Sequence, residues 1–198
     1  MARPTRAIIN REALRHNYGL AQKLSGAGQA IPIVKANAYG HGAVTVAQTL
    51  APLAPALGVA CIEEAIELRD AGVERPILLL EGFFSNEEIE LASAKNFWLM
   101  LQNEEQLAAV ESASVAAPLN CWLKFDTGMH RLGFEPEQAA ALHARLASNT
   151  NVADQIVLAT HFASADNLDS DFTARQIQQF QECTQGIDAP RSLANSPG

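Results

Sequence analysis

The sequence predicts an α/β fold, a (β/α)8 TIM-like barrel that is incomplete, on three observations. Short, continuously apolar runs alternate with longer segments of helical period, and no low-complexity linker breaks the alternation. The third is length: 198 residues fall short of the roughly 250 that a closed barrel of this kind uses. The strand-like runs are residues 31–36, 57–62, 76–80, 97–101, 119–125 and 156–162, with a weaker one at 191–194. Strands covered on both faces of a parallel sheet read in this way, without polar alternation. Between them, Asn10 is placed to cap a helix whose apolar positions are Leu14, Tyr18, Ala21 and Leu24. Ser85-Asn86-Glu87-Glu88 has the form of a capping box, and Asn103-Glu104-Glu105-Gln106 repeats it. Pro136 stands where the first turn of another helix begins. The chain ends just past the seventh run, which leaves an eighth strand unaccounted for. An unclosed barrel would expose strand edges, so residues 1–198 are expected to be a truncated barrel domain of a longer protein.

Composition narrows the class. Apolar residues make up 48%, charged residues 18% and aromatic residues 6%, with a formal net charge of -8. An acidic surface repels phosphate backbones and argues against general nucleic-acid binding. No apolar run approaches the roughly 20 residues of a membrane-spanning helix. The basic start Arg3-Pro4-Thr5-Arg6 is followed by the mixed stretch Ile8-Ile9-Asn10-Arg11-Glu12 rather than by a signal-peptide core. A cytoplasmic protein is therefore expected. Cys61, Cys121 and Cys183 are widely separated and have no metal-ligand spacing, so they read as inert core thiols and no metal site is expected.

Four segments could carry chemistry. Val34-Lys35-Ala36-Asn37-Ala38-Tyr39-Gly40-His41-Gly42 leaves a strand with a lysine and enters a glycine-rich turn. Burial there would depress the lysine's pKa, as Schiff-base chemistry requires; the bland alternative is a rim lysine snorkelling into water. Gly40-His41-Gly42 also fits a dinucleotide-binding turn, with Glu63 or Glu64 as the ribose-binding acid, although Thr45 replaces the third glycine. Lys124-Phe125-Asp126-Thr127-Gly128-Met129-His130-Arg131-Leu132-Gly133 follows a buried run. Arg131 could clamp a small carboxylate with two parallel hydrogen bonds, or the loop could hold only local ion pairs. His161 ends the sixth run, where a hydrogen-bonded core histidine is the plain alternative to a functional one. Asn195-Ser196-Pro197-Gly198 follows the seventh run, where barrels commonly bind phosphate through loop amides.

Together these segments resemble the alanine racemase family. The run from Val34 to Gly42 is similar to that family's pyridoxal-phosphate lysine motif. Leu79-Leu80-Glu81-Gly82-Phe83, Asp126 to Gly133, His161-Phe162-Ala163 and Asn195-Ser196 match further family segments in order. The resemblance implies pyridoxal 5'-phosphate (PLP) as cofactor, with Lys35 as the lysine that binds it covalently and then acts as one of two bases. It implies that Tyr39 and Ser196 bind the cofactor phosphate, that His161 lies against the pyridine ring and that Arg131 contacts the substrate. Lys124 matches a position that supports that arginine and is carbamylated in some relatives. The implied reaction interconverts L-alanine and D-alanine in a homodimer, supplying D-alanine for peptidoglycan. The family's second base is a tyrosine of the partner subunit's C-terminal β-domain, whereas Tyr18 and Tyr39 are the only tyrosines here. This chain alone is therefore expected to be inactive. The alternative is a non-catalytic PLP-binding barrel serving PLP homeostasis, in which Arg131 would have no substrate to clamp.

Overall fold

A computed structural model describes residues 4–198, in two compact units, one ending at Ile77 and the other spanning Leu78–Gly198. In the first unit, helix α1 (Arg11–Leu24) starts where expected, because the Asn10 side chain accepts a hydrogen bond from the Ala13 amide at 3.0 Å. Only the first half of its apolar stripe is covered. Leu14 and Tyr18 are half-buried, whereas Leu24 is 77% exposed. The Tyr18 hydroxyl reaches the carbonyls of Ala30 (3.1 Å) and Leu53 (3.3 Å), and partial burial raises its pKa.

The first expected strand, 31–36, is reduced to a single parallel bridge between Ile33 and Gly58. Gly58 donates to the Pro32 carbonyl (2.9 Å) and Val34 donates to that of Gly58 (2.7 Å). The physical reason is that the backbone leaves the extended region at once: Ala36, Asn37, Ala38 and Tyr39 all have φ between 51° and 54°. Strand β1 (Leu57–Val59) is fully buried, and Leu57 donates to the Pro76 carbonyl at 3.0 Å. Helix α2 (Ala43–Leu50) buries Ala43, Val46, Ala47 and Leu50, and α3 (Ile62–Asp70) buries Ile62, Ala65 and Leu68, each at helical spacing.

Strand β2 (Ile77–Leu79) precedes the β/α repeats of the second unit. There β3 (Phe97–Leu101), β4 (Cys121–Lys124), β5 (Val157–Ala159) and β6 (Arg191–Ser192) pair in parallel in chain order. Leu99 sits opposite Cys121, Trp122 opposite Val157 and Ala159 opposite Ser192. The connections are α4 (Asn86–Lys95), α5 (Glu104–Ser112), α6 (Ala139–Ala147) and α7 (Phe172–Cys183). Phe97, Leu99, Leu101, Leu107, Phe125 and Phe180 form part of a core from which water is excluded. Asn103 caps α5 through the Gln106 amide at 2.8 Å, and Pro136 opens the short 3-10 turn Pro136–Gln138 ahead of α6. The box expected at Ser85 does not form in that way. Its hydroxyl bonds the Glu87 carboxylate instead, holding that group below its ordinary pKa, while Glu88 accepts from the Phe84 amide at 3.2 Å. Among the described residues, no helix is long and apolar enough to cross a membrane.

Cys121 lies within β4 with none of its surface exposed, and burial pushes its thiol up to about 12. A thiol with that pKa contributes almost no thiolate near neutrality. In a thiol-disulfide assay at pH 8, Cys121 is expected to react only as the protein unfolds, at the global unfolding rate. Cys61 and Cys183, both half-buried, react sooner. Peptide mapping of the labelled sites distinguishes them.

Candidate active site

In the first unit, Lys35 stands half-buried one residue after Val34, whose amide closes the bridge to Gly58. It is therefore the last residue before the left-handed turn and does not lie on a strand. A left-handed residue costs roughly 1–2 kcal/mol when it is not glycine, so such a turn survives only where its surroundings dictate it. Several hydrogen bonds do so. The Ala38 amide donates to Val34 (2.8 Å), and the Gly40 and Gly42 amides donate to the Asn37 carbonyl at 3.1 Å and 3.0 Å. The Asn37 side-chain oxygen accepts from the Ala43 amide at 2.8 Å, tying the turn to the start of α2. The Ala36 amide donates to Glu64 at 2.6 Å. Tyr39, the last non-glycine residue of the left-handed turn, is 63% exposed. Glu64, one of the two acids that the dinucleotide alternative offered to a ribose, is thus engaged by backbone amides instead.

In the second unit the remaining candidates follow the carboxyl ends of β4, β5 and β6. Lys124 is the last residue of β4 and only 7% exposed. Just beyond it the chain closes a loop on itself. The Asp126 amide donates to Phe134 and the Phe134 amide to Lys124, each at 2.9 Å. Arg131 is carried on this pinched loop with its side chain exposed. Within the loop, Asp126 accepts from the amides of Gly128 (2.9 Å) and His130 (3.0 Å), and its other oxygen is 3.2 Å from His130 Nδ1. Partial burial alone would raise the Asp126 pKa. The two amides and the His130 ring outweigh that and hold it below its ordinary value.

A buried polar cluster fixes the neighbouring segments. The Thr127 and Thr160 hydroxyls are 2.7 Å apart. The Gln176 side-chain amide, 1% exposed, donates to Thr127 (3.3 Å) and to the His161 carbonyl (3.1 Å), and it accepts from the Ala163 amide at 3.0 Å. His161 is half-buried. Ser196 is exposed, beside an Asn195 whose side chain donates to the Phe162 carbonyl at 3.3 Å. Sequence reasoning missed Glu64 as a clamp and Gln176 altogether. The second had one signal, a polar residue at a core position of an otherwise regular helix. A cavity of about 210 Å³, lined by Ser93, Asn96, Phe97 and Leu119 among others, lies at the amino ends of β3 and β4. The chemistry-bearing side chains of this unit sit at the opposite ends of the strands.

Gly133 has φ +134°, and a Cβ there would meet the Asp126 nitrogen at 2.7 Å and the Phe125 carbonyl carbon at 2.9 Å. Gly133→Ala is expected to destabilise the fold by about 2 kcal/mol or more, because backbone must move. Denaturant titration measures it. The depressed Asp126 pKa stabilises the loop fully above its unfolded value near pH ~4. That contribution is lost as pH falls through the lower folded value. The stability difference between the protein and Asp126→Asn should therefore shrink as acid is added, as a pair of urea titrations across that range would read.

The family described as alanine racemase, N-terminal domain, matches residues 9–198. The chain is 52% identical over 195 residues to a catabolic alanine racemase of Pseudomonas aeruginosa, covering 98% of this chain and 54% of that protein. It is 50% identical over 196 residues to a catabolic alanine racemase of Pseudomonas putida, covering 99% and 54%. Among solved structures it is similar to the biosynthetic alanine racemase of P. aeruginosa, with a TM-score of 0.88 and 45% identity over 94% of this chain and 52% of that one. The chain spans about half the length of the curated relatives it matches. Its α/β class, the β/α repeats of an incomplete barrel, is the one the sequence predicts. With nearly every residue inside the matched region, the chain belongs to the alanine racemase family, in the part that forms its N-terminal domain.

Proposed function

We propose that this chain supplies the lysine-bearing part of a PLP-dependent enzyme that interconverts L-alanine and D-alanine. The observation that carries the reading is Lys35 itself. It is a half-buried primary amine held by the backbone at the mouth of a left-handed turn, within the motif the family uses for its cofactor lysine. The donor set suits the cofactor group by group. Lys35 offers an amine for its aldehyde, the Tyr39 and Ser196 hydroxyls offer donors for its phosphate, and His161 offers a flat imidazole for its ring. When bound, PLP supplies an aldehyde that condenses with amines and a ring that draws electron density from the substrate's Cα–H bond.

The chain's own residues do the rest. Lys35 removes or returns the α-proton on one face of the substrate. Arg131 takes the carboxylate side, where its planar fork orients the substrate for that transfer. Lys124, buried at the end of β4, supports the arginine from below. Racemisation needs a base on each face, and the two tyrosines present are otherwise engaged. Tyr18 bonds the Ala30 and Leu53 carbonyls, and Tyr39 is assigned to the phosphate. On this reading the second base is the one the family resemblance implies, a tyrosine of the partner subunit's C-terminal domain in a cytoplasmic homodimer. Supply of D-alanine for peptidoglycan and its breakdown use the same residues in opposite directions. Relatives of both a biosynthetic and a catabolic kind match the chain. The exposed Arg131 on its pinched loop favours this enzyme over a PLP carrier, which has no carboxylate to hold.

The 198-residue chain alone is expected to give no detectable D-alanine from L-alanine by chiral chromatography. The protein at its natural length converts it, and Lys35→Ala lowers that rate by roughly 10³-fold or more. Conversion by the isolated chain that is lost on Lys35→Ala would show that no second base from elsewhere is needed.

A further inference from the structure

We propose that Glu64 is the positioning residue of Lys35, clamping the backbone on both sides of the bridge so that the lysine leaves it in one fixed direction. The Glu64 carboxylate is shared between two amides from different segments. One oxygen accepts from Ala36, immediately after Lys35, at 2.6 Å, and the other accepts from Ala60, immediately after β1, at 2.8 Å. Ala36 is the first left-handed residue, with φ 52° and ψ 50°. As an L-residue with no side chain able to bond locally, it has no intrinsic reason to adopt that geometry. Its amide also lies ahead of the turn's own hydrogen bonds, which begin with Ala38. An ionised carboxylate binds such an amide more strongly than a neutral acceptor does. Ile62 opens α3 two residues before Glu64, so the clamp is anchored on a helix rather than on a loop. The direction in which Lys35 points is set where the backbone passes from Val34, at φ -119° and ψ 16°, into the left-handed turn that begins at Ala36. A side chain that holds that change in place controls the amine without touching it.

This inference rests on the reading of Lys35 as the PLP lysine, and the experiment separates the two. Glu64→Gln keeps shape but turns an NH₂ toward one of the two amides, a donor facing a donor. In the protein without PLP, peptides spanning residues 35–42 are expected to exchange amide hydrogen roughly tenfold faster in Glu64→Gln than in the unsubstituted protein. With PLP added, borohydride reduction and peptide mapping should find pyridoxyllysine at Lys35 in the unsubstituted protein. In Glu64→Gln, half-maximal fixation should require roughly tenfold more PLP. For the intact enzyme, kcat should fall while KM changes less than about twofold, because the substrate clamp on Arg131 is untouched. Glu64→Asp keeps the charge but is too short to span both amides, so it should recover only part of the loss. It also serves if Glu64→Gln does not fold. Asn103→Ala, which removes a helix cap, is the control for stability alone and should lower the melting temperature without changing fixation. Absence of pyridoxyllysine at Lys35 in the unsubstituted protein overturns the lysine assignment and the clamp's purpose with it. Fixation there with unchanged exchange and fixation in Glu64→Gln overturns the role of Glu64 alone.

Discussion

The left-handed course of residues 36–39 is the constraint to which the first unit is fitted. Four consecutive L-residues stand at φ near 50°, a geometry that costs roughly 1–2 kcal/mol for each alanine and for Tyr39 and less for Asn37. Hydrogen bonds hold it. Glu64 holds the first amide of the turn, the Asn37 carbonyl takes the amides of Gly40 and Gly42, and the Asn37 side chain ties the turn to α2. The two glycines, at φ 88° and 89°, let the chain pass from left-handed to right-handed backbone before α2 without further strain. The result is that the turn that follows Lys35 is held by hydrogen bonds to its main chain.

The second unit reaches the same end by other means. The Arg131 loop is closed by two backbone bonds, with Gly133 at a point where a Cβ would meet the Asp126 nitrogen, so its backbone is defined although Arg131 is exposed. Beneath it, Gln176 joins Thr127, His161 and Ala163 through one buried amide whose donor and acceptor are both used. In a dry interior, a fully satisfied polar cluster specifies one arrangement, because leaving any member unpaired costs about 1–3 kcal/mol. The surface ion pairs of Arg145 with Glu104 and Glu111 contrast with this. Exposed pairs of that sort contribute ~1 kcal/mol or less each, and they bear on the attachment of α6 to α5 rather than on the site.

A shared logic connects the two units. In the proposed function a cofactor brings its own reactivity, and the chain's task is to hold a few groups at fixed positions. Placing a lysine and an arginine beyond strand ends, on turns that the backbone itself locks, leaves the rest of each helix free to serve the core. The cysteines fit that division. Cys121 is sealed within β4 and contributes packing only.

The sequence by itself determined the periodic content of this protein. The β/α alternation, the caps at Asn10 and Asn103 and the helix start at Pro136 were legible because each depends on contacts within a few residues. The family was legible too, because the motifs around Lys35, Asp126 to Gly133, His161 and Asn195-Ser196 match its pattern in order along the chain. What the tertiary structure decided lies where one residue's conformation depends on a distant partner. Residues 31–36 carry the apolar pattern of a strand, yet only Ile33 forms a bridge, because the backbone turns left-handed at Ala36 and the Ala36 amide goes to Glu64, 28 residues further on, rather than to a neighbouring strand. Ser85 has the spelling of a capping box, yet its hydroxyl finds Glu87. Gln176 reads as one more polar helical residue until Thr127 and His161 are brought to it. Local propensity is a sum over near neighbours. A left-handed alanine or a buried glutamine is stable only through hydrogen bonds made across the fold, and those come into being when the chain closes on itself.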